Sequence, residues 1–157
     1  MVNPQKDVWL AEVFVSHTSG DTAYCKALVL PAIEAVVERG FNQYVFMDWN
    51  NFGKMSGEHA RGFASGYVKE ITRLIRGSRS FIGVLSAAAI ASKWVAWEVN
   101  WWLTNRSIEE AIVVLSEECN PFDLDSRLDK ARTVFLPNVT NSGMQTTLQA
   151  ALREILK

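Results

Sequence analysis

The order of apolar runs along this chain predicts an α/β domain, a parallel sheet with helices packed on both faces. Three observations carry the prediction. Short runs rich in apolar and β-branched residues alternate with segments of helical periodicity from Trp9 to the C-terminus. The internal runs at 80–86 and 111–115 are apolar almost throughout, as strands covered on both faces must be. At 157 residues, with 48% apolar and 21% charged residues, the chain has the size to bury one core without a metal or disulfides.

A polar segment at 1–8 precedes a domain spanning 9–157. The first strand is expected over 9–15, stopping at the polar stretch 16–21. Asp21 or Thr22 can cap the helix that follows, where Ala23, Ala27, Leu30, Ile33 and Val37 recur at helical spacing until Gly40; Pro31 is placed to kink it. A short strand over 44–47 leads into a turn-rich loop at 48–57, which runs on to about Gly66. Val68, Ile71, Leu74 and Ile75 make the apolar face of a second helix whose solvated face carries Lys69, Arg73 and Arg76. A strand at 80–86 then runs directly into a tryptophan-rich helix. Strands at 111–115 and 133–136, the latter stopped by Pro137, and a helix over 143–156 complete the chain. The 121–130 segment reads equally as loop or short helix.

The formal net charge of −1 lacks the electrostatic footprint of a chain that grips nucleic acid by its phosphates. Cys25 and Cys119 form no Cys-x-x-Cys pair, and the two histidines make no metal cluster, so a reducing cytoplasm is the expected setting. No run approaches the roughly 20 apolar residues that span a bilayer, and the N-terminus has no export signal, so no membrane contact is expected. Neither Gly-x-Gly-x-x-Gly after the first strand nor a phosphate-loop motif is present, which disfavours a bound redox dinucleotide and nucleotide triphosphate hydrolysis. Ser16 and His17, merely adjacent in sequence, are not a nucleophilic dyad.

In sheets of this class ligands sit outside the carboxyl ends of the strands, where strand order reverses. Ser16 with His17, the 48–57 loop and Ser86 occupy those ends. In the tryptophan-rich helix Trp94 and Glu98 stand one turn apart, which sets a carboxyl beside an indole, with Trp101 on the next turn. Two readings of that pair stand: an amphipathic core helix with Glu98 at the solvent boundary, or a carboxylate held for chemistry.

The residues 12–21 (EVFVSHTSGD), 46–48 (FMD), 56–58 (SGE), 78–86 (SRSFIGVLS) and the spacing from Ser92 through Trp94 to Glu98 resemble, in order, the Toll/interleukin-1 receptor (TIR) domains. The likeness covers the chain from about Trp9 onward. It implies a flavodoxin-like five-stranded parallel sheet. In the enzymatic members of that family, which act in immune defence, the glutamate matching Glu98 is required to cleave NAD between nicotinamide and ribose. Other members are scaffolds that signal by TIR–TIR assembly. Two departures stand out: Ser56 occupies a position usually held by proline, and about half a dozen extra residues lie within 59–66.

The resemblance therefore implies NAD as substrate rather than cofactor, Glu98 as the catalytic group, and a homo-oligomer joined through TIR–TIR contacts. Nicotinamide on ribose is cationic and leaves neutral, so no general acid is needed. A carboxylate near the ribose can stabilise the oxocarbenium-like transition state. A free glutamate, of pKa about 4.3, is ionised at neutral pH unless burial raises it. Around Glu98 the substrate-binding candidates are Ser16, His17, Asp48, Trp49, Phe52, Lys54 and Trp94. Trp49 or Phe52 can stack on a base, or serve the core or an interface; Lys54 can meet the pyrophosphate, or solvent; Ser16 and His17 can line the cleft, or serve the turn; Trp94 is read as packing support for Glu98. A nucleoside ribosidic-bond enzyme, such as a deoxyribosyltransferase, shares the same carboxylate logic.

Overall fold

Strand β1, Ala11–Ser16, is the strand from which the sheet grows in both directions. In the computed structural model, which describes residues 9–37, 42–46, 66–137 and 142–157, β1 pairs in parallel with β2 (Tyr44–Phe46) on one side and β3 (Ser78–Leu85) on the other. Beyond β3 lie β4 (Ala111–Leu115) and β5 (Arg132–Phe135), also parallel. The order β2-β1-β3-β4-β5 is that of a flavodoxin-like α/β fold. The chain moves outward from β1 to β2, then crosses back to β3 on its other side, so strand order reverses between β1 and β3.

Alternation along the strands builds two cores, one per face. Val13, Val15, Ile82, Val84, Ile112, Val114 and Val134 face helix α1 (residues 22–36) and helix α5 (Ser142–Ile155), with Leu28, Ile33, Leu148 and Leu152 fully buried between them. Phe14, Phe81, Leu85, Ala111 and Val113 face helices α2 (Gly66–Arg76), α3 (Ala87–Ile90) and α4 (Lys93–Asn105). Ile71 and Ile75 of α2 are buried, whereas Lys69, Arg73 and Arg76 are exposed, as its periodicity predicts.

Helix α1 departs from its expected face. It opens on a single α-helical turn, Thr22–Tyr24, winds as a π-helix over Cys25–Val29, and returns to α-helix over Leu30–Val36. The wider π turn shifts the register: Ala23 and Ala27 point to solvent, and Tyr24, Cys25, Leu28 and Val29 take the core. Pro31 sits at the start of the final segment, where its missing N–H costs little, so the wide turn absorbs what a kink would otherwise have to. Val37 then turns extended and ends the described helix; Gly40, the expected stop, lies outside the described residues.

Smaller differences have local causes. β1 begins at Ala11, because Trp9 is drawn instead against the Arg106 guanidinium. β3 starts two residues early and ends at Leu85, leaving Ser86 to cap α3 by accepting from the Ala89 N–H at 3.1 Å. The tryptophan-rich helix therefore does not follow β3 directly: α3 intervenes and Ser92 caps α4. The 121–130 segment is helical, as two 3-10 turns, Pro121–Asp123 and Ser126–Lys130. Residues 1–8, Met47, and the whole of the 48–57 loop and its 59–65 continuation lie outside the described residues. No helix among the described residues is long and apolar enough to cross a membrane.

Candidate active site

Ser16 is the last residue of β1, and strand alternation sets it on the Phe14 face, beneath α4. Its neighbour across the β1–β3 pairing is Gly83. A Cβ at Gly83 would crowd the Phe81 ring at 3.3 Å and would meet Val99 of α4 at an ordinary contact distance of 4.0 Å, so glycine here leaves room for the Phe81 ring under α4. Glu98 is the α4 residue that arrives there. The Ser16 hydroxyl donates to Glu98 Oε1 at 2.7 Å.

Both side chains are only 1% exposed, which overturns the reading of Glu98 as a solvent-boundary residue. Burial pushes the Glu98 carboxyl up to about 8, and the Ser16 hydrogen bond pulls the other way without cancelling it. The resting chain thus holds Glu98 largely protonated at neutral pH, the exception to an ionised glutamate that burial allows. Sequence shows the indoles around Glu98 but not how completely they and the sheet exclude water.

Beside this pair, between the loop after β1 and the start of α4, lies an open cleft of about 290 Å³. His17, Thr18, Ser19 and Gly20 form one wall; Ala88, Ser92 and Trp94 form the other. The cleft therefore sits at the carboxyl ends of β1 and β3, where strand order reverses, as the rule for such sheets predicts. His17 stacks on Phe46 of β2 with ring centroids 4.3 Å apart and planes 9° from parallel. Trp94 is half-buried, edge-on to Trp97 at 6.4 Å.

The structure thus brings together Ser16, His17, Trp94 and Glu98. His17, itself only 1% exposed, and the half-buried Trp94 border the cleft, whereas Ser16 and Glu98 do not line it, which is not where a substrate-contacting Ser16 is expected. Asp48, Trp49, Phe52 and Lys54 lie outside the described residues. The fully buried indole of α4 is Trp102, stacked on Phe81 at 5.3 Å, with its N–H donating to the Ser107 carbonyl at 3.0 Å.

One residue that sequence reading took for a helix cap belongs here. Asp21 does not cap α1 with its side chain. Its Oδ2 accepts from the Thr18 hydroxyl at 2.9 Å and from the Ser86 hydroxyl at 2.6 Å, tying the two walls of the cleft together. The signal was present as serine at the end of the β3 run, but nothing local pairs it with Asp21. Thr22 is no cap either: its hydroxyl is buried and has no partner among the described residues.

Among the described residues no group of three or more His, Cys, Asp or Glu side chains is arranged to hold a metal ion. Cys25 and Cys119 are free thiols; burial, reinforced by the nearby Asp21 charge, pushes Cys25 far up and makes it unreactive. The sequence matches no protein-family model and no curated protein.

Proposed function

We propose that this chain is an NAD nucleosidase of the TIR type, cleaving the nicotinamide–ribose bond with Glu98 as its catalytic carboxylate. The observation that carries the reading is the buried carboxyl of Glu98, the one buried Asp or Glu side chain among the described residues, beside the cleft at the β1–β3 reversal. The resemblance of the 12–21 and 78–98 stretches to TIR domains agrees with it.

The chemistry asks for only one carboxylate near the ribose. Nicotinamide leaves as a neutral molecule, so only the developing positive charge on the ribosyl carbon has to be stabilised. Glu98 must be ionised for that, and with a pKa of about 8 ionisation at pH 7 costs about 1.4 kcal/mol, one pKa unit. The cationic nicotinamide ring of the substrate offsets this: opposite unit charges 4 Å apart attract by roughly 4 kcal/mol at an effective dielectric of 20. Ser92 opens the N-terminus of α4 onto the cleft, a setting that favours the diphosphate. Water capture of the ribosyl cation yields ADP-ribose, and capture by the same molecule yields a cyclic isomer. Self-association that completes the site, in a cytoplasmic immune-defence setting, follows the resemblance.

The test is nicotinamide release from NAD, followed by chromatography, for the native chain and Glu98→Gln at high protein concentration with a crowding agent. Release by the native chain alone is the expected result. Equal release by both overturns the role of Glu98.

One observation favours a second reading, a non-catalytic scaffold that signals by TIR–TIR assembly: Glu98 itself does not line the cleft and is closed from solvent. Of the basic residues that the sequence offers for such contacts, Lys69, Arg73, Arg76 and Arg79, two are already paired. Arg79 lies in β3, paired with Glu12 at 3.2 Å, and Arg73 pairs with Glu70 at 2.6 Å, leaving Lys69 and Arg76. Assembly without nicotinamide release, unchanged in Glu98→Gln, is the outcome that selects the scaffold.

A further inference from the structure

We propose that Ser16 is a positioning residue for Glu98, whose hydroxyl holds the carboxyl in place and favours its charged form rather than touching substrate. The inference rests on the NAD-cleaving reading for its kinetic consequences only. Its physical basis is independent of what the chain cleaves.

Ser16 and Glu98 interrupt two apolar rows at the same place. On β1 the row facing α4 runs through Phe14 and then meets Ser16; on α4 the inward residues are Val95, Glu98, Val99 and Trp102. Either polar group alone would be buried without a partner, and the 2.7 Å hydrogen bond between them resolves both. Stability does not demand such a pair, since a buried polar pair can be exchanged for well-packed apolar residues at little cost. A hydroxyl donor fixes the rotamer of the carboxyl and favours its ionised form, and it cannot donate to a substrate while it does so.

Among the described residues no charge competes with Ser16 for this task. On the β1 side the titratable and charged groups are Glu12, His17 and Asp21; on β3 there is Arg79; on α4 and its C-cap, Lys93 and Arg106. Glu12 is paired with Arg79 and lies four residues, about 13 Å, back along β1. Asp21 is committed to Thr18 and Ser86. His17 stacks on Phe46. Lys93 is at the exposed start of α4, and Arg106 is eight residues, about 12 Å, beyond Glu98, held by the Ser78 and Arg79 carbonyls. Among the described residues, burial and the Ser16 hydroxyl remain as the influences on Glu98.

The test is a carboxyl-carbon NMR titration of glutamate-labelled protein, with the Glu98 signal identified by its loss in Glu98→Gln. Ser16→Ala is expected to move the Glu98 midpoint up by about one pH unit, and Ser16→Thr, which keeps the hydroxyl, to restore it. The pH profile of kcat for NAD cleavage should move by the same amount, with KM changed less than about two-fold because Ser16 makes no substrate contact. An unmoved midpoint in folded Ser16→Ala, or in Ser16→Thr a midpoint like that of Ser16→Ala, overturns the proposal. So does a KM effect that dominates the kcat effect, since that would make Ser16 a substrate contact. A native chain that releases no nicotinamide overturns the NAD reading instead, and the titration still decides the role of Ser16.

Discussion

The Ser86 hydroxyl donates to Asp21 Oδ2 at 2.6 Å, a bond between residues 65 positions apart that joins the loop after β1 to the loop after β3. The same oxygen takes the Thr18 hydroxyl, so one carboxylate sets the spacing of the cleft walls. Hydrogen bonds to a charged group are worth roughly 1.5–3 kcal/mol. Asp21→Ala is therefore expected to cost stability in that range by urea unfolding. Amide exchange should quicken at 17–20, and a double-mutant cycle with Ser86→Ala should give a coupling of about 1 kcal/mol or more. Additive effects would show that the clamp is not a unit.

Glu98 makes stability depend on pH in the direction opposite to an ordinary paired carboxylate. Its pKa rises on folding from 4.5 to about 8, so between those values the folded chain holds more protons than the unfolded one, and stability falls as pH rises. The effect is absent below about pH 4.5 and complete above about pH 8, bounded near 5 kcal/mol by the size of the shift. Glu98→Gln removes it: similar stability to the native chain at pH 5, and greater stability at pH 9 by several kcal/mol. Parallel urea titrations at the two pH values check this. An unchanged difference between the two proteins would mean that Glu98 does not titrate in this window.

The tryptophans of α4 should separate by burial. Trp102 is fully buried against Phe81, and Trp102→Ala is expected to cost about 3–5 kcal/mol. Trp94 is half-buried at the cleft wall, so Trp94→Ala should cost less than half of that while weakening binding of a planar ligand. Equal losses of thermal stability in the two variants would contradict the placement.

Arg106 closes the far end of the same helix. Its guanidinium lies 4.8 Å from the Trp9 ring centroid and 4.3 Å from that of Trp102, and donates to the Ser78 and Arg79 carbonyls at 2.8 Å each and to Glu110 at 3.0 Å. A lysine cannot reproduce a planar fork between two indoles. Arg106→Lys should lower stability by about 1–3 kcal/mol and, because Trp9 loses its partner, change the tryptophan fluorescence of the folded state.

Local pattern and tertiary contact contributed different things to this protein. The five strands, the near-continuous apolar character of the internal ones and the helices between them could be read along the chain, because periodicity and turn residues are properties of neighbours. That is why the β4 run and the α4 segment stand close to where the sequence puts them, and why the carboxyl ends of the strands were the right place to look for a cleft. The inward face of α1 differs from the periodic reading because a π turn changes the period itself, and in the fold that turn brings the Tyr24 hydroxyl to donate to the Leu136 carbonyl. Asp21 passed for a cap because its partner, Ser86, is distant in sequence. Glu98 was legible as a candidate from the resemblance to TIR domains together with its spacing to Trp94, but its partner, its enclosure and its protonation were not. Those depend on Ser16 arriving from 82 residues away and on water being excluded by a sheet and a helix. Residue identity supplied the carboxyl; the desolvation that raises its pKa, and the hydroxyl that opposes it, exist only once β1 and α4 are packed together.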